Sequence, residues 1–246
     1  MFDRMLSVRK HSSSNRRLLP HGLVILHEDR DILVVDKPAG LLTMGTDRDK
    51  TRTAYFFLTD YVRKGYSKSR NRIFIVHRLD RETSGIVIFA KNVEAKLRLQ
   101  DHWKNTEKKY LAVVHGQCAQ PAGTITTYLA ENKARIVYST SDKVKGKLSR
   151  TGYRVLKKTK DFTLLELDLL TGRKHQIRVH LAGIGHPVVG DRKYGKEDRA
   201  RPRLALHARA ISFQHPFSGE RLTFAAPLPV FFSQLVGNID IPPRPM

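Results

Sequence analysis

Short apolar segments separated by polar turns recur along most of this 246-residue chain, and this pattern limits its possible folds. Residues 32–35 and 86–90, for example, are rich in the β-branched side chains that favour strands. Helical patterns occur only at irregular intervals, so the regular strand–helix alternation of a parallel-sheet protein is absent. The pattern predicts an α+β fold built on a mixed, mostly antiparallel central β-sheet with flanking helices and loops.

The individual elements follow from hydrophobic periodicity and from turn residues. Asn92 is the predicted N-cap of the second helix, whose Val93, Leu97 and Trp103 are expected to face inward. Helices are predicted at residues 54–64, 93–106, 175–182 and 230–236. Strands are predicted at residues 24–26, 32–35, 74–80, 86–90, 110–115, 124–129, 135–138, 152–156, 162–170, 205–213 and 222–225. In the strand at 74–80, the period of two places alternate side chains on one face, namely Phe74, Val76, Arg78 and Asp80.

The chain lacks a Pro/Gly linker that would divide it, so residues 20–246 are predicted to form a single domain. Residues 1–19 are basic, rich in serine and nearly free of acidic residues, which predicts a flexible basic arm. An organellar transit peptide is the alternative for this segment. It lacks the apolar core of a secretory signal, and the single cysteine, Cys118, is typical of a reducing compartment, so a cytoplasmic location is predicted.

The charge balance indicates a polyanionic partner. Lysine and arginine number 45 against 23 acidic residues, which gives a net charge of +22. Such an excess is typical of proteins that bind nucleic acid or an anionic membrane. No apolar run approaches the ~18 residues of a membrane-spanning helix, and no long basic amphipathic helix is present. The sequence therefore favours nucleic acid as the partner and predicts no membrane association.

Residues 77–85, with the sequence HRLDRETSG, contain the most informative carboxylate of the chain. Asp80 lies between Arg78 and Arg81, and nearby cations lower a carboxyl pKa and keep the group ionised. An ionised carboxylate can act as a nucleophile. The alternative interpretation is a solvated Arg/Asp cluster in a turn that ends a strand.

A second informative stretch is residues 171–181, TGRKHQIRVHL. His175 and Arg178 are three residues apart and share a helix face, and the guanidinium fork of arginine suits a buried carboxylate because it can bind both oxygens. The alternative is a basic helix that faces solvent or phosphate. A zinc site is not expected, because His175 and His180 lie roughly 140° apart around a helix.

Tyr110 follows two lysines and begins an apolar strand. It is either a core tyrosine or a ring that stacks on a base and offers its hydroxyl for hydrogen bonding or proton transfer. The chain has no Walker A loop, no GxGxxG motif, no serine nucleophile elbow and no close set of carboxylates for two magnesium ions. One cysteine also excludes a cysteine-based zinc cluster. Neither a cofactor nor a metal is predicted.

Taken together, these stretches resemble the RluA-type pseudouridine synthases. The resemblance extends from about residue 20 to 236 and includes several separate motifs in the family's order. The motifs are residues 77–85, Lys109-Tyr110, residues 171–181, residues 186–191 followed by Tyr194-Gly195, Leu206-His207-Ala208, Phe213, His215-Pro216 and Ala226-Pro227.

The resemblance implies the pseudouridine synthase fold, with a catalytic cleft across the sheet. It implies that Asp80 is the catalytic nucleophile, that Arg178 is its salt-bridge partner, and that Tyr110 stacks on the target uracil and could handle the C5 proton. Arg78 would enter the RNA stack when the uridine flips out, while His77 and Leu79 support the loop. The substrate-binding residues implied are His77, Arg78, Leu79, Thr83, Arg173, His175, Gln176 and Leu206.

By the same resemblance, the substrate is a specific uridine in structured RNA, either large-subunit rRNA or tRNA. We expect the protein to be a monomer. The basic segments at 48–72, 133–160 and 192–203 are expected to face that RNA. Two departures are visible: Lys174 replaces a common threonine, and there is no room for an N-terminal S4 domain. The alternatives are a non-catalytic RNA-binding or ribosome-associated protein of the same fold, and a basic protein that binds any polyanion.

Overall fold

The structure, a computed structural model, describes residues 16–46, 49–195 and 203–239. Within these ranges the chain forms twelve strands and four α-helices. The helices are α1 (Ala54–Arg63), α2 (Val93–Asp101), α3 (Gln176–Gly183) and α4 (Val230–Val236). The strands are β1 (Arg17–Leu18), β2 (Val24–Glu28), β3 (Ile32–Lys37), β4 (Phe74–Ile75), β5 (Ser84–Ala90), β6 (Glu107–His115), β7 (Ala122–Glu131), β8 (Val137–Thr140), β9 (Lys147–Lys158), β10 (Phe162–Leu169), β11 (Leu206–Gln214) and β12 (Arg221–Ala225).

All of these strands join one sheet in the order β1-β2-β3-β5-β11-β6-β10-β9-β7-β8, with β4 also paired to β5 and β12 to β11. Among the described strands, β5 and β11 form the only parallel pair. The predicted α+β class with a mixed, mostly antiparallel sheet is confirmed. Each described helix is too short to cross a membrane.

The middle of the sheet is buried on both faces, which explains the continuous apolar runs of β3 and β5. In β3, Leu33 and Val35 pack into one hydrophobic cluster, whereas Ile32 and Val34 pack into the cluster on the opposite face. Successive side chains of a strand point to opposite faces, so a strand covered on both sides needs apolar residues at every position. The burial of these two strands fixes the position of the loop that precedes β5.

The prediction of a strand at 74–80 is wrong beyond the first two residues. Only Phe74–Ile75 pairs with β5, and residues 76–83 form a loop. The hydroxyl of Thr43 accepts the backbone N–H of Leu79 at 3.2 Å and donates to the Leu79 carbonyl at 2.9 Å. The ring of His77 accepts the N–H of Ile88 through Nε2 at 3.0 Å. Side chains thus take the place of ladder hydrogen bonds, and the alternation predicted from the period of two does not apply to Arg78 and Asp80.

The helix predicted at 93–106 is shorter and rotated relative to the prediction. It is capped by Asn92 as predicted, but it ends at Asp101. Val93 and Leu97 are about half exposed, at 50% and 53%, rather than facing inward. The buried positions are Ala95 and Leu99, which pack on the central strands. The cap fixes this rotation, because the Asn92 amide also donates to a carboxylate beside β3 at 2.8 Å.

The other predicted elements are present. The bounds of α4 match the prediction, and the ends of the remaining elements differ from it. The largest difference is in β9, which begins at Lys147 rather than at residue 152. Residues 1–15 of the predicted arm lie outside the described residues. Arg17–Leu18, which also belong to the predicted arm, pair with β2. The division into an arm and a single domain therefore stays a prediction.

Gly85 is required where β5 runs parallel to β11. Its φ is +110°, a backbone conformation that L side chains rarely adopt, and a Cβ at this position would lie 2.2 Å from the carbonyl oxygen of Ala208. Only a residue without a side chain permits this approach. The glycine that ends the 77–85 motif therefore has a steric role in bringing two motifs together.

We expect Gly85→Ala to lower the free energy of unfolding by about 2–4 kcal/mol, because the backbones of β5 and β11 must separate. Gly65→Ala is the matched control, since Gly65 also has a positive φ of +73° but has open space around its Cβ position. Its expected cost is about 1–2 kcal/mol, from backbone conformation alone. Urea unfolding of both variants measures the difference, and equal losses would contradict the steric role.

Candidate active site

A pocket of about 310 Å³ opens where the 76–83 loop, the start of α3 and the ends of β6 and β11 meet. The structure brings all the predicted site residues together at this pocket, although they come from four separate parts of the sequence. The predicted residues that line it are His77, Arg78, Leu79, Asp80, Thr83, Tyr110, Arg173, His175, Gln176, Arg178 and Leu206. Among the described residues that line it, Asp80 is the only one with a carboxylate.

The carboxylate of Asp80 faces two side chains from the beginning of α3. Its Oδ2 lies 3.1 Å from Nη1 of Arg178, and its Oδ1 lies 3.7 Å from Nε2 of His175. The Asp80 side chain is 24% exposed, whereas that of Arg178 is 11% exposed. The contact between Arg178 and Asp80 is a charge-assisted hydrogen bond, which fixes the direction of the carboxylate.

The guanidinium fork of Arg178 binds a second carboxylate, whose role was not predicted from the sequence. Its Nε and Nη2 each donate to one oxygen of Asp191 at 2.7 Å. The contact predicted between Arg178 and Asp80 is present, but it uses the remaining nitrogen, Nη1, alone. Arg178 is therefore fixed by Asp191 and presents one N–H to Asp80.

The electrostatic balance of this network is set by burial and by mutual attraction. Burial alone would raise the pKa of Asp191, but hydrogen bonds and the charge of Arg178 outweigh it and hold that pKa below its usual value. Burial likewise disfavours the charged form of Arg178, but Asp191 and Asp80 raise its pKa overall. Both groups therefore stay charged at neutral pH, and the bidentate geometry supplies the compensation that a buried ion pair needs.

A buried lysine binds the 76–83 loop, and this role was not predicted from the sequence. Lys37 is fully buried, and its Nζ donates to the carbonyls of Pro38, Leu41 and Arg81 at 2.9, 2.7 and 3.1 Å. Burial lowers the pKa of Lys37 to about 7, with the charges of Glu82 and other nearby carboxylates opposing the shift. Three carbonyl acceptors match the three N–H bonds of an ammonium group, so the geometry favours the charged form. The carbonyl that it holds in the loop belongs to the residue immediately after Asp80.

Aromatic rings form one wall of the pocket. Tyr110 is 8% exposed, and burial, followed by the charge of Asp80, raises the pKa of its hydroxyl. His77 lies against Trp103 with ring centroids 4.6 Å apart, and burial lowers the pKa of His77 to about 3, so this ring is neutral. Lys108 lies 5.3 Å from the centre of the Trp103 ring. Trp103 and Lys108 also line the pocket, although neither was predicted as a site residue.

The amide of Gln176 is fully used by the protein. Its Oε1 accepts from the Thr171 hydroxyl at 2.7 Å and from the Arg173 N–H at 3.1 Å. Its Nε2 donates to Arg150 and Thr151 of β9, both at 2.9 Å. Gln176 therefore shapes the pocket by tying the turn before α3 to the sheet, and it has no hydrogen-bonding capacity left for a ligand.

One group with the spacing of metal ligands occurs in the part of the chain that the structure describes, formed by Asp29, Asp31 and His215. None of the three lines the pocket. Nδ1 of His215 accepts the N–H groups of Phe217 and Ser218, at 3.4 and 3.2 Å. A neutral ring then carries its proton on Nε2, which faces Asp29 at 3.3 Å. This arrangement favours a hydrogen bond between histidine and aspartate over a metal ion, because the nitrogen that would bind the metal is protonated.

Comparison with known proteins gives a consistent assignment. Residues 31–183 match the RNA pseudouridylate synthase family. The uncharacterized RNA pseudouridine synthase YlyB of Bacillus subtilis is 38% identical over 226 residues, which are 89% of this chain and 74% of that protein. Ribosomal large subunit pseudouridine synthase D of Nitrosomonas europaea is 37% identical over 220 residues, which are 84% of this chain and 62% of that protein.

Solved structures agree with the sequence comparisons. Human RNA pseudouridylate synthase domain containing 4 superposes with a TM-score of 0.71 at 26% identity, covering 85% of this chain and 89% of that chain. Human RNA pseudouridylate synthase domain containing 1 gives a TM-score of 0.67, also at 26% identity, over 91% of this chain and 87% of that chain. The predicted pseudouridine synthase fold is confirmed.

We expect Asp191→Asn to destabilise the protein by about 3 kcal/mol, because it leaves the buried Arg178 without its bidentate partner. In the wild type, the contribution of Asp191 is complete above the usual carboxyl pKa and is lost as the pH falls through its lowered folded-state pKa. The variant should therefore lose less stability than the wild type on acidification. Chemical unfolding between pH 7 and pH 3 measures both effects.

Asp168→Asn is the matched control, because Asp168 pairs with Lys109 at 2.5 Å but is 47% exposed. An exposed pair contributes less than about 1 kcal/mol. If both variants lose the same small amount of stability, the Arg178–Asp191 pair does not anchor the site.

Proposed function

The chain belongs to the RNA pseudouridylate synthase family and is an RNA uridine isomerase, and we propose that Asp80 is the nucleophile of its reaction. The observation that supports this role is the placement of Asp80 as the one described carboxylate lining the pocket, 3.1 Å from a nearly buried arginine. Arg178 places a positive charge beside the carboxylate and orients it through one N–H.

The isomerisation detaches the uracil, rotates it and rejoins it to the ribose through C5. It needs a group that acts on the sugar and room in which the base can turn. In one route the carboxylate of Asp80 attacks C1′, and in the other it takes a proton from C2′. Both routes require an ionised Asp80, so the network around Arg178 serves either.

Tyr110 is proposed to stack on the uracil. Burial and the charge of Asp80 raise the pKa of its hydroxyl, so the phenol stays protonated at neutral pH. A protonated phenol donates a hydrogen bond, and it can accept the C5 proton only if it passes its own proton on. Base stacking on an aromatic ring is worth about 1–3 kcal/mol, which offsets part of the cost of extracting the base from the RNA.

Arg78 is proposed to fill the space that the flipped uridine leaves. Its side chain is exposed at the rim of the pocket, and Nη1 lies 3.7 Å from the sulfur of Met44. An exposed planar guanidinium can stack on neighbouring bases. His77, Leu79 and Thr83 are proposed to shape the loop around the ribose. Arg173, His175 and Leu206 are proposed to contact the substrate, whereas Gln176, predicted as a further contact, shapes the pocket without a hydrogen bond to the substrate.

The proposed substrate is structured RNA. The Nitrosomonas europaea relative, a ribosomal large subunit pseudouridine synthase, favours large-subunit rRNA over tRNA. The basic segments at 48–72 and 133–160 are proposed to contact its phosphates, together with segment 192–203, part of which lies outside the described residues. The protein is proposed to act as a monomer in the cytoplasm. Mapping pseudouridines in rRNA and tRNA from a strain that lacks the gene identifies the target.

Asp80→Asn should reduce isomerisation to below about one per cent of the wild-type rate while RNA affinity stays nearly unchanged, because the substitution removes the charge and little volume. Pseudouridine formation in cellular RNA and equilibrium RNA binding measure the two properties. Glu82→Gln is the control, since Glu82 lies in the same loop and its side chain is 54% exposed. Substantial turnover by Asp80→Asn would exclude Asp80 as the nucleophile.

Arg78→Ala should slow modification of a structured stem-loop more than modification of a short single strand, where little unstacking is needed. Arg81→Ala is the control, because Arg81 belongs to the same loop but donates to the Gly40 carbonyl at 3.1 Å and does not line the pocket. Turnover on both RNAs at one ionic strength makes the comparison. Equal losses on the two substrates would indicate an ordinary phosphate contact.

A further inference from the structure

We propose that Tyr194 is a positioning residue that fixes the tautomer of His175, so that the Nε2–H of His175 faces Asp80. This inference rests on the proposed role of Asp80. It makes His175 a second group, besides Arg178, that orients the carboxylate of Asp80. Tyr194 lies in the turn after Asp191 and does not line the pocket itself.

The contacts run in a chain from the sheet to the carboxylate. The backbone N–H of Val137, at the start of β8, donates to the hydroxyl oxygen of Tyr194 at 3.2 Å. That hydroxyl lies 2.6 Å from Nδ1 of His175. The opposite ring nitrogen, Nε2, lies 3.7 Å from Oδ1 of Asp80.

Two separate observations assign the proton to Nε2. At one end, the Tyr194 oxygen already accepts the N–H of Val137, so its own O–H is available to donate to Nδ1 of His175. At the other end, Nε2 faces the carboxylate of Asp80, which attracts an N–H and repels a lone pair. A neutral histidine carries one ring proton, and both ends place it on Nε2.

The neutral state of the ring makes this tautomer important. Burial lowers the pKa of His175, the charge of Asp80 opposes this, and Arg178, Lys193 and Lys174 lower it further. An uncharged ring can orient a carboxylate only through the position of its proton.

The backbone and the packing around Tyr194 hold the chain of contacts in place. His175 is the N-cap of α3 and has a φ of 54°, a left-handed conformation that is costly for a residue with a side chain. The backbone N–H of Tyr194 donates to Oδ1 of Asp191 at 3.1 Å, and the guanidinium carbon of Arg178 lies 5.1 Å from the centre of the Tyr194 ring. Asp191 therefore anchors Arg178 directly and His175 through Tyr194.

The consequence is that each oxygen of Asp80 faces one N–H. A separation of 3.7 Å is too long for a hydrogen bond, and such contacts in unliganded enzymes commonly shorten when the substrate binds. The opposite tautomer would place a lone pair against Oδ1 and turn the carboxylate away from the sugar. Tyr194 thus acts through His175 on the orientation of Asp80.

Tyr194→Phe tests the inference with a readout that a general loss of stability does not produce. The ¹⁵N chemical shifts of the His175 ring distinguish the two neutral tautomers. We expect the wild type to be in the Nε2–H form and the variant to show a mixture of both forms. The single-turnover rate should fall about tenfold or more while RNA affinity changes less than about twofold, since misplacing a reacting group affects the chemical step. Tyr128→Phe is the control, because Tyr128 on β7 does not line the pocket.

Substitution of His175 gives a second test. His175→Gln can place an amide N–H near the position of Nε2, whereas the amide of His175→Asn reaches only the position of Nδ1. We expect the Gln variant to retain several-fold more turnover than the Asn variant. Unchanged ¹⁵N shifts and rate in Tyr194→Phe, or equal activity of the two His175 variants, would overturn the inference. Those results together with an inactive Asp80→Asn would leave the proposed function intact, whereas an active Asp80→Asn would remove the basis of both.

Discussion

The bridge that Arg178 forms between two carboxylates is the interaction on which the site depends. Its fork is occupied by Asp191, which is nearly buried, and one nitrogen remains for Asp80. A single arginine between two aspartates places a positive charge beside both carboxylates. Because the fork is anchored elsewhere, the direction of the remaining N–H is fixed before any substrate arrives, which is the preorganisation that electrostatic catalysis requires.

Close backbone packing in the fold brings Asp80, Arg178 and Asp191 within reach of one another. Gly85 lets β5 run against β11, which holds the loop that contains Asp80 close to the sheet. Lys37 secures that loop by binding the carbonyl that follows Asp80. The loop is irregular in backbone but tightly bonded, so the carboxylate rests on a rigid support. Catalytic groups on such loops keep their geometry because the scaffold below them is well packed.

Features that depend on neighbouring residues in the chain could be predicted from the sequence. Apolar runs predicted most of the strands, and the arginines on either side of Asp80 indicated an unusual carboxylate. The bidentate role of Asp191 was not predicted, because no local pattern shows which of two carboxylates an arginine fork will bind. In the sequence, Lys37 resembles an ordinary polar residue at the end of a strand. Its burial depends on chain segments that are distant in sequence. The outward position of Leu97 was missed because the cap, rather than the hydrophobic pattern, sets the rotation of α2.

The bridging role of Arg178 is tested most directly by the single-turnover rate of Arg178→Lys, measured beside its RNA affinity. Lysine keeps the charge, but its one ammonium group cannot bind both oxygens of Asp191 and also reach Asp80. The rate is expected to fall about 100-fold or more, since a displaced catalytic group has effects of that order. RNA affinity should change by less than about threefold. A rate close to that of the wild type would contradict the account, because it would mean that charge alone, without the forked geometry, is enough to hold Asp80.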